Sequence, residues 1–155
     1  MSHEEEVRKS VAEAYGRAVT GGGSCCQPAA TPVPIQLTRY DPKELETLPE
    51  GVSSSSFGCG NPFAFTEIRE GQVVLDLGSG AGIDLLLARR RTGASGRVIG
   101  VDMTGPMIER ARASIATAGF DNVEVREGII EKLPVESSSV DWVISNCVIN
   151  LSPRK

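Results

Sequence analysis

The sequence predicts an α/β fold, a parallel sheet flanked by helices. Three observations carry this reading. Short apolar runs at Val73–Leu77, Arg97–Asp102, Val123–Arg126 and Val140–Ser145 read as strands. Helical spacing separates the first three, from Ile83 to about Arg91 and from Met107 to Ala118. A glycine-rich turn, Gly78–Gly82, joins the first strand to the first of these helices. Strands alternating with helices pair in parallel through right-handed crossovers.

The residues before the sheet read differently. Glu4 to Val19 is predicted helical, with Val7, Val11, Ala14, Tyr15 and Ala18 on one side and Gly21-Gly22-Gly23 at its end. Ser24 to Pro34 holds Cys25, Cys26 and three prolines, and reads as an irregular loop. Asp41-Pro42-Lys43-Glu44 carries the signature of a helix start: a capping aspartate, a proline at the first helical position and a glutamate three after the cap. A tight turn is expected over Phe57–Pro62, then a short helix around Phe63 to Ile68.

Composition narrows the function classes. Of 155 residues, 40% are hydrophobic and 23% charged, ordinary for a globular chain with a sizeable core. The net charge of -4 and the lack of a basic stripe argue against nucleic acid as a partner. The longest apolar stretch, Ile83 to Ala88, is too short to span a bilayer, and the acidic N-terminus lacks the apolar core of a signal peptide. A cytoplasmic location with no membrane partner is expected. The four cysteines, Cys25, Cys26, Cys59 and Cys147, form no C-x-x-C pattern, and the only histidine, His3, lies at the N-terminus. Neither a zinc site nor a disulfide framework follows. On composition alone each cysteine reads as a small buried hydrophobe.

The turn points to a nucleotide. Asp76-x-Gly78-x-Gly80-x-Gly82 follows a strand and opens a helix, and glycines let a backbone approach a ligand closely. Asp102, at the end of the next strand, is placed to accept hydrogen bonds from two ribose hydroxyls. The spacing departs from the dinucleotide pattern G-x-G-x-x-G. An acidic group beside the loop suits a cation better than a diphosphate, and S-adenosylmethionine carries a sulfonium and an ammonium. A nicotinamide-dependent dehydrogenase is the runner-up. Val73–Gly82 closely resembles motif I of class I methyltransferases, and Val98–Met103 resembles their acidic-loop motif II.

Further strings narrow the family. Tyr15-Gly16, Gly23-Ser24-Cys25-Cys26, Gly58-Cys59-Gly60-Asn61-Pro62, Val101-Asp102-Met103-Thr104, Ile130-Glu131-Lys132-Leu133-Pro134 and Ile144-Ser145-Asn146-Cys147-Val148-Ile149-Asn150-Leu151 resemble the arsenite S-adenosylmethionine methyltransferases along essentially the whole chain. The resemblance implies a Rossmann-like class I methyltransferase fold and S-adenosylmethionine as cofactor. It implies that Cys25 or Cys26, Cys59 and Cys147 bind trivalent arsenic, with Cys59 and Cys147 at the reacting centre. Which of the vicinal pair serves stays open, with a slight preference for Cys26. The cofactor would be held by Asp76, Gly78, Ser79, Gly80 and Asp102, with Met103 packing on the adenine, Ile130 and Glu131 near its edge, and Asn146 near the methionine moiety. The helix bearing Tyr15-Gly16 would cover it as a lid. The substrate would be arsenite or its thiol conjugates, in a detoxifying reaction, with a thiol reductant such as glutathione or thioredoxin as partner. Soft thiolates select a soft centre such as trivalent arsenic.

On this reading residues 1–70 form a helical and loop cap bearing Cys25, Cys26 and Cys59. Residues 71–155 form the first half of the S-adenosylmethionine-binding domain, cut after the fourth strand. That strand reads as fully buried, with Val140, Trp142 and Ile144 on one side and Val143 on the other. Its open edge would invite self-association. The alternatives are a methyltransferase for a small organic acceptor, which leaves Cys59 and Cys147 unexplained, and a metalloid-binding fragment without catalysis.

Overall fold

The computed structural model describes residues 2–21, 40–49 and 60–154. Helix α1 spans His3–Gly21 and begins with a reciprocal cap. The Glu5 amide donates to Ser2 Oγ at 3.3 Å, and the Ser2 amide donates to Glu5 Oε2 at 2.7 Å. That cap starts the helix one residue before the predicted Glu4. Helix α2, Pro42–Glu46, is capped by Asp41, whose carboxylate accepts from the Lys43 amide at 2.9 Å. Glu44 does not complete a box there; it pairs with Arg91 of the next layer at 2.9 Å. Pro62–Phe65 is a 3-10 turn capped by Asn61, shorter than the predicted helix to Ile68, as 3-10 geometry rarely persists beyond three or four residues.

Four strands make one parallel sheet: β1 Val73–Leu77, β2 Arg97–Asp102, β3 Val123–Glu127 and β4 Trp142–Ser145, in the order β3-β2-β1-β4. Helices α3, Ile83–Thr92, and α4, Gly105–Ala118, are the crossovers. One face of the sheet, with Val74, Val98, Val125 and Ile144, packs on Leu85, Leu86, Ile108 and Ala111 of these helices. Helix α1 lies against α4. The opposite face carries a smaller cluster, Leu75, Ile99 and Val101, to which Val135 and Val140 pack. The predicted fold class stands.

The fourth strand departs from expectation. Val143 is 54% exposed, so β4 is not fully buried. Among the described residues it pairs with β1 alone. Val140 also fails to share a face with Trp142 and Ile144. It precedes the strand and joins the opposite cluster, where the exposed Asp141 exchanges two hydrogen bonds with Val73: its amide donates to the Val73 carbonyl at 2.9 Å and its carboxylate accepts from the Val73 amide at 2.7 Å. Pleated alternation begins only after that exchange. Among the described residues, no helix is long and apolar enough to cross a membrane.

Candidate functional site

The strand order reverses at β1, which has β2 on one side and β4 on the other. In parallel sheets the crevice at such a switch point, beyond the strand C-termini, is where ligands bind. The register fixes what emerges there. Leu77 pairs with Val101 and with Ser145, so Gly78, Asp102 and Asn146 leave the sheet together.

The loop after β1 folds back over β2. The Gly78 and Ser79 amides both donate to the Val101 carbonyl, at 2.8 and 3.1 Å. Gly78, with φ of 68°, and Gly80, with φ of 52°, hold left-handed conformations that glycine adopts at little cost. The Asp102 carboxylate ties the turn down, Oδ2 accepting from the Gly80 amide at 2.9 Å and Oδ1 from the Thr104 amide at 2.8 Å. The Thr104 side chain and the Met103 amide add further hydrogen bonds to the same carboxylate. Burial raises the Asp102 pKa, against the opposing pull of these amides.

Gly78, Ser79, Gly80, Asp102, Met103, Ile130, Glu131, Asn146 and Cys147 line one cavity, roofed by Arg8, Val11 and Tyr15 of α1. These nine are among the residues the sequence reading named for the site. Two features fit a small polar ligand. Among the described residues, a Cβ on Gly80 would meet no protein atom within 4 Å, and Ser79 Oγ is buried without a hydrogen-bond partner. Glu131 accepts from the Ser152 hydroxyl at 2.6 Å and pairs with Arg8 at 3.5 Å, which closes one end. Burial pushes the Glu131 pKa up, but Ser152 and Arg8 outweigh it and hold the carboxyl below its ordinary value.

Asp76 does not line the cavity. It is 2% exposed in β1, and burial, then Asp84, then Asp102 push its pKa well up. The acidic group at the cavity wall on this side is Asp84, in the first turn of α3. Burial raises its pKa to about 6, against hydrogen bonds from Tyr40 and Asn146. The sequence reading missed both Asp84 and Tyr40. The available signal was one charged residue inside the apolar run Ile83–Ala88, which reads equally well as an acid near a helix N-terminus.

Asn146 is the hub beyond β4. The two hydrogens of its Nδ2 are shared among three acceptors, the Gly60 carbonyl at 2.8 Å, Tyr40 Oη at 3.1 Å and Asp84 Oδ2 at 3.3 Å. Its Oδ1 accepts from the Gly60 amide at 3.1 Å. Cys147 follows, half-buried, with φ of 59°. A non-glycine residue there carries strain of about 1–2 kcal/mol, a departure that clusters at functional sites. Cys25, Cys26 and Cys59 lie outside the described residues. Among the described residues, no group of three or more His, Cys, Asp or Glu side chains could hold a metal ion.

Fold and site together define a Rossmann-like domain with a nucleotide-cofactor crevice. Residues 68–155 match a family of methyltransferase domains, and the chain belongs to that family. It is similar to arsenite methyltransferases, as its motifs led us to expect. One from Halobacterium salinarum is 42% identical over 97% of this chain and 42% of its own length. One from Mus musculus is 37% identical over 97% of this chain and 42% of its own length. The crystal structure of an arsenic(III) S-adenosylmethionine methyltransferase from Chlamydomonas reinhardtii superposes with a TM-score of 0.63, at 36% identity, over 80% of this chain and 42% of that one. The chain thus spans less than half the length of these relatives.

Proposed function

We propose that the protein is an S-adenosylmethionine-dependent arsenite methyltransferase, with trivalent arsenic held by cysteine thiolates. The observation that carries this reading is the place of Cys147. It lines the same cavity as the glycine loop and Asp102, at the end of the neighbouring strand.

Asp102 would take the ribose hydroxyls, with Met103 and Ile130 against the adenine and Glu131 at its edge. Gly78, Ser79 and Gly80 would cradle the methionine end, and the Ser79 hydroxyl would gain the partner it lacks among the described residues. The cofactor, when bound, supplies a methyl group on a cationic sulfur. Asp84 at the wall, ionised above about pH 6, favours that positive charge, whereas burial with Asp84 and Asp102 nearby pushes Asp76 toward its neutral form. The role expected of Asp76 thereby passes to Asp84.

Arsenic coordinated by three sulfurs keeps one lone pair and loses no proton on methylation, so no general base is required. The chain's work is then to hold the thiolates and exclude water. Cys59, one residue before Gly60, and Cys147, one after Asn146, would be two of the sulfurs; Cys26 or Cys25 would be the third. A thiol such as glutathione or thioredoxin would deliver the arsenic and restore reduced thiols, in a detoxifying role. The open edge of β4 would pair with a second copy.

Mass spectrometry after incubation with arsenite, S-adenosylmethionine and a thiol tests the reading. Methylated arsenic is expected. Arsenite retained without methylation would reduce the chain to a metalloid-binding unit. No retention and no methylation would overturn the reading.

A further inference from the structure

Tyr40 is 5% exposed and does not line the cofactor cavity. Its hydroxyl is nevertheless fully used. It donates to Asp84 Oδ1 at 2.8 Å and accepts from Asn146 Nδ2 at 3.1 Å. Burial and the Asp84 carboxylate push the phenol pKa up, so it stays protonated and remains a donor. The hydroxyl thus joins two residues 62 positions apart that themselves meet at 3.3 Å.

Asn146 acts on the backbone. Its amide bonds both the N–H and the C=O of Gly60, as a neighbouring strand would. This docks residue 60 against residue 146 across 86 positions of chain. A side-chain amide can also make those two bonds from other rotamers, with Gly60 carried along. Two contacts oppose such a swing: the Tyr40 hydroxyl and the Asp84 carboxylate. Of the two, the Tyr40 hydroxyl serves no other visible purpose, since a phenylalanine would fill the same place in the apolar cluster.

We propose that Tyr40 is a positioning residue for the metalloid site. Through Asn146 it fixes Gly60 and Cys147 relative to one another, and so sets the position of the Cys147 thiol. The inference rests on the arsenite reading above. Three bonds to one arsenic atom require sulfurs at near contact, and a chain that must order them on binding gives up affinity. A clamp made in advance removes that cost.

The test is Tyr40→Phe in the full chain, with arsenite binding followed by equilibrium dialysis and S-adenosylmethionine binding by calorimetry. Arsenite affinity should fall about tenfold, the scale of one buried hydrogen bond. Cofactor affinity should stay within about twofold, because a tenfold change would require loss of a comparable contact. Adding Asn146→Ala should cost arsenite no more than Asn146→Ala alone, because the two act in one chain of contacts. If Tyr40→Phe melts at the parent's temperature and binds arsenite equally well, the proposal is wrong. Parallel loss of both ligands with stability would make Tyr40 a packing residue and also overturn it. Should Tyr40→Phe fail to fold, Asp84→Asn decides. It leaves the phenol but replaces two acceptor oxygens by one, and unchanged arsenite affinity would overturn the proposal. A parent chain that binds the cofactor but no arsenite would remove the arsenite reading, and this inference with it.

Discussion

Val148 occupies the space that a side chain on Gly78 would need: a Cβ there would stand 2.3 Å from Val148 Cγ2. The loop after β1 and the segment after β4 therefore interlock, and Cys147 is held next to the glycine turn by its neighbour.

Two alanine substitutions should separate packing from ligand space. Gly78→Ala meets Val148 and a φ of 68°, and overpacking with left-handed strain should cost about 2–5 kcal/mol. Among the described residues Gly80→Ala meets no protein atom within 4 Å and only a φ of 52°, so about 1–2 kcal/mol is expected. Its methyl enters the cavity, however, and S-adenosylmethionine binding should be lost. Thermal melts and calorimetry report the two effects. Cofactor affinity unchanged in Gly80→Ala would show that the ligand does not approach this turn.

Cys59→Ser and Cys147→Ser should each abolish tight arsenite binding, because a hydroxyl is a hard, weakly acidic substitute for a thiolate. Equilibrium dialysis measures it directly. Both variants retaining the parent's affinity would make these cysteines structural.

Much of this was legible in the sequence because it is local. β1 and β2 fall on the predicted residues, since apolar runs bounded by turn residues leave little choice of register. The cavity wall was legible for the same reason: Gly78, Asp102 and Asn146 each end a strand, and a parallel sheet brings strand ends together. What escaped depends on contacts across the chain. Asp84 and Tyr40 are 44 positions apart, and neither carries a mark of the other. The burial of Val143 was misjudged because alternation gives a residue's face but not whether that face is covered. Val140 was misplaced because Asp141 swaps its side chain for a backbone partner, which no periodicity reports.

The pH dependence of stability should carry the signature of Asp84. Its folded pKa of about 6 lies above the ordinary 3.8, so the folded chain holds the proton more tightly than the unfolded one. The unfolded state then binds fewer protons between pH 4 and 6, and stability falls as pH rises through that window. Asp76 and Asp102 are raised as well and act in the same direction. Asp84→Asn should flatten part of the slope, a difference of about 3 kcal/mol at most. Urea melts of both proteins at intervals from pH 4 to 7 give the comparison. Parallel curves would mean that Asp84 does not titrate in this range.

The two edges of the sheet differ in a way that predicts how copies meet. β3 carries Glu124, Arg126 and Glu127, and Arg97 of β2 with Arg126 forms ion pairs to Glu124. Charges of this kind blunt an edge strand against pairing. β4 reads Trp-Val-Ile-Ser and bears no charge, with Val143 54% exposed beside it and Ile149 53% exposed just beyond. Its outer backbone groups have no strand partner among the described residues. Two copies joined edge to edge through β4 would run antiparallel about a two-fold axis, which satisfies both rows and buries both Val143 side chains. Sedimentation velocity of the 155-residue chain should therefore show a concentration-dependent dimer. Val143→Lys places a charge on that edge without touching the helix-packed face, and it should shift the chain to monomer with its melting temperature nearly unchanged. A parent that stays monomeric over the whole accessible concentration range, or a dimer indifferent to Val143→Lys, would show that β4 is not the contact.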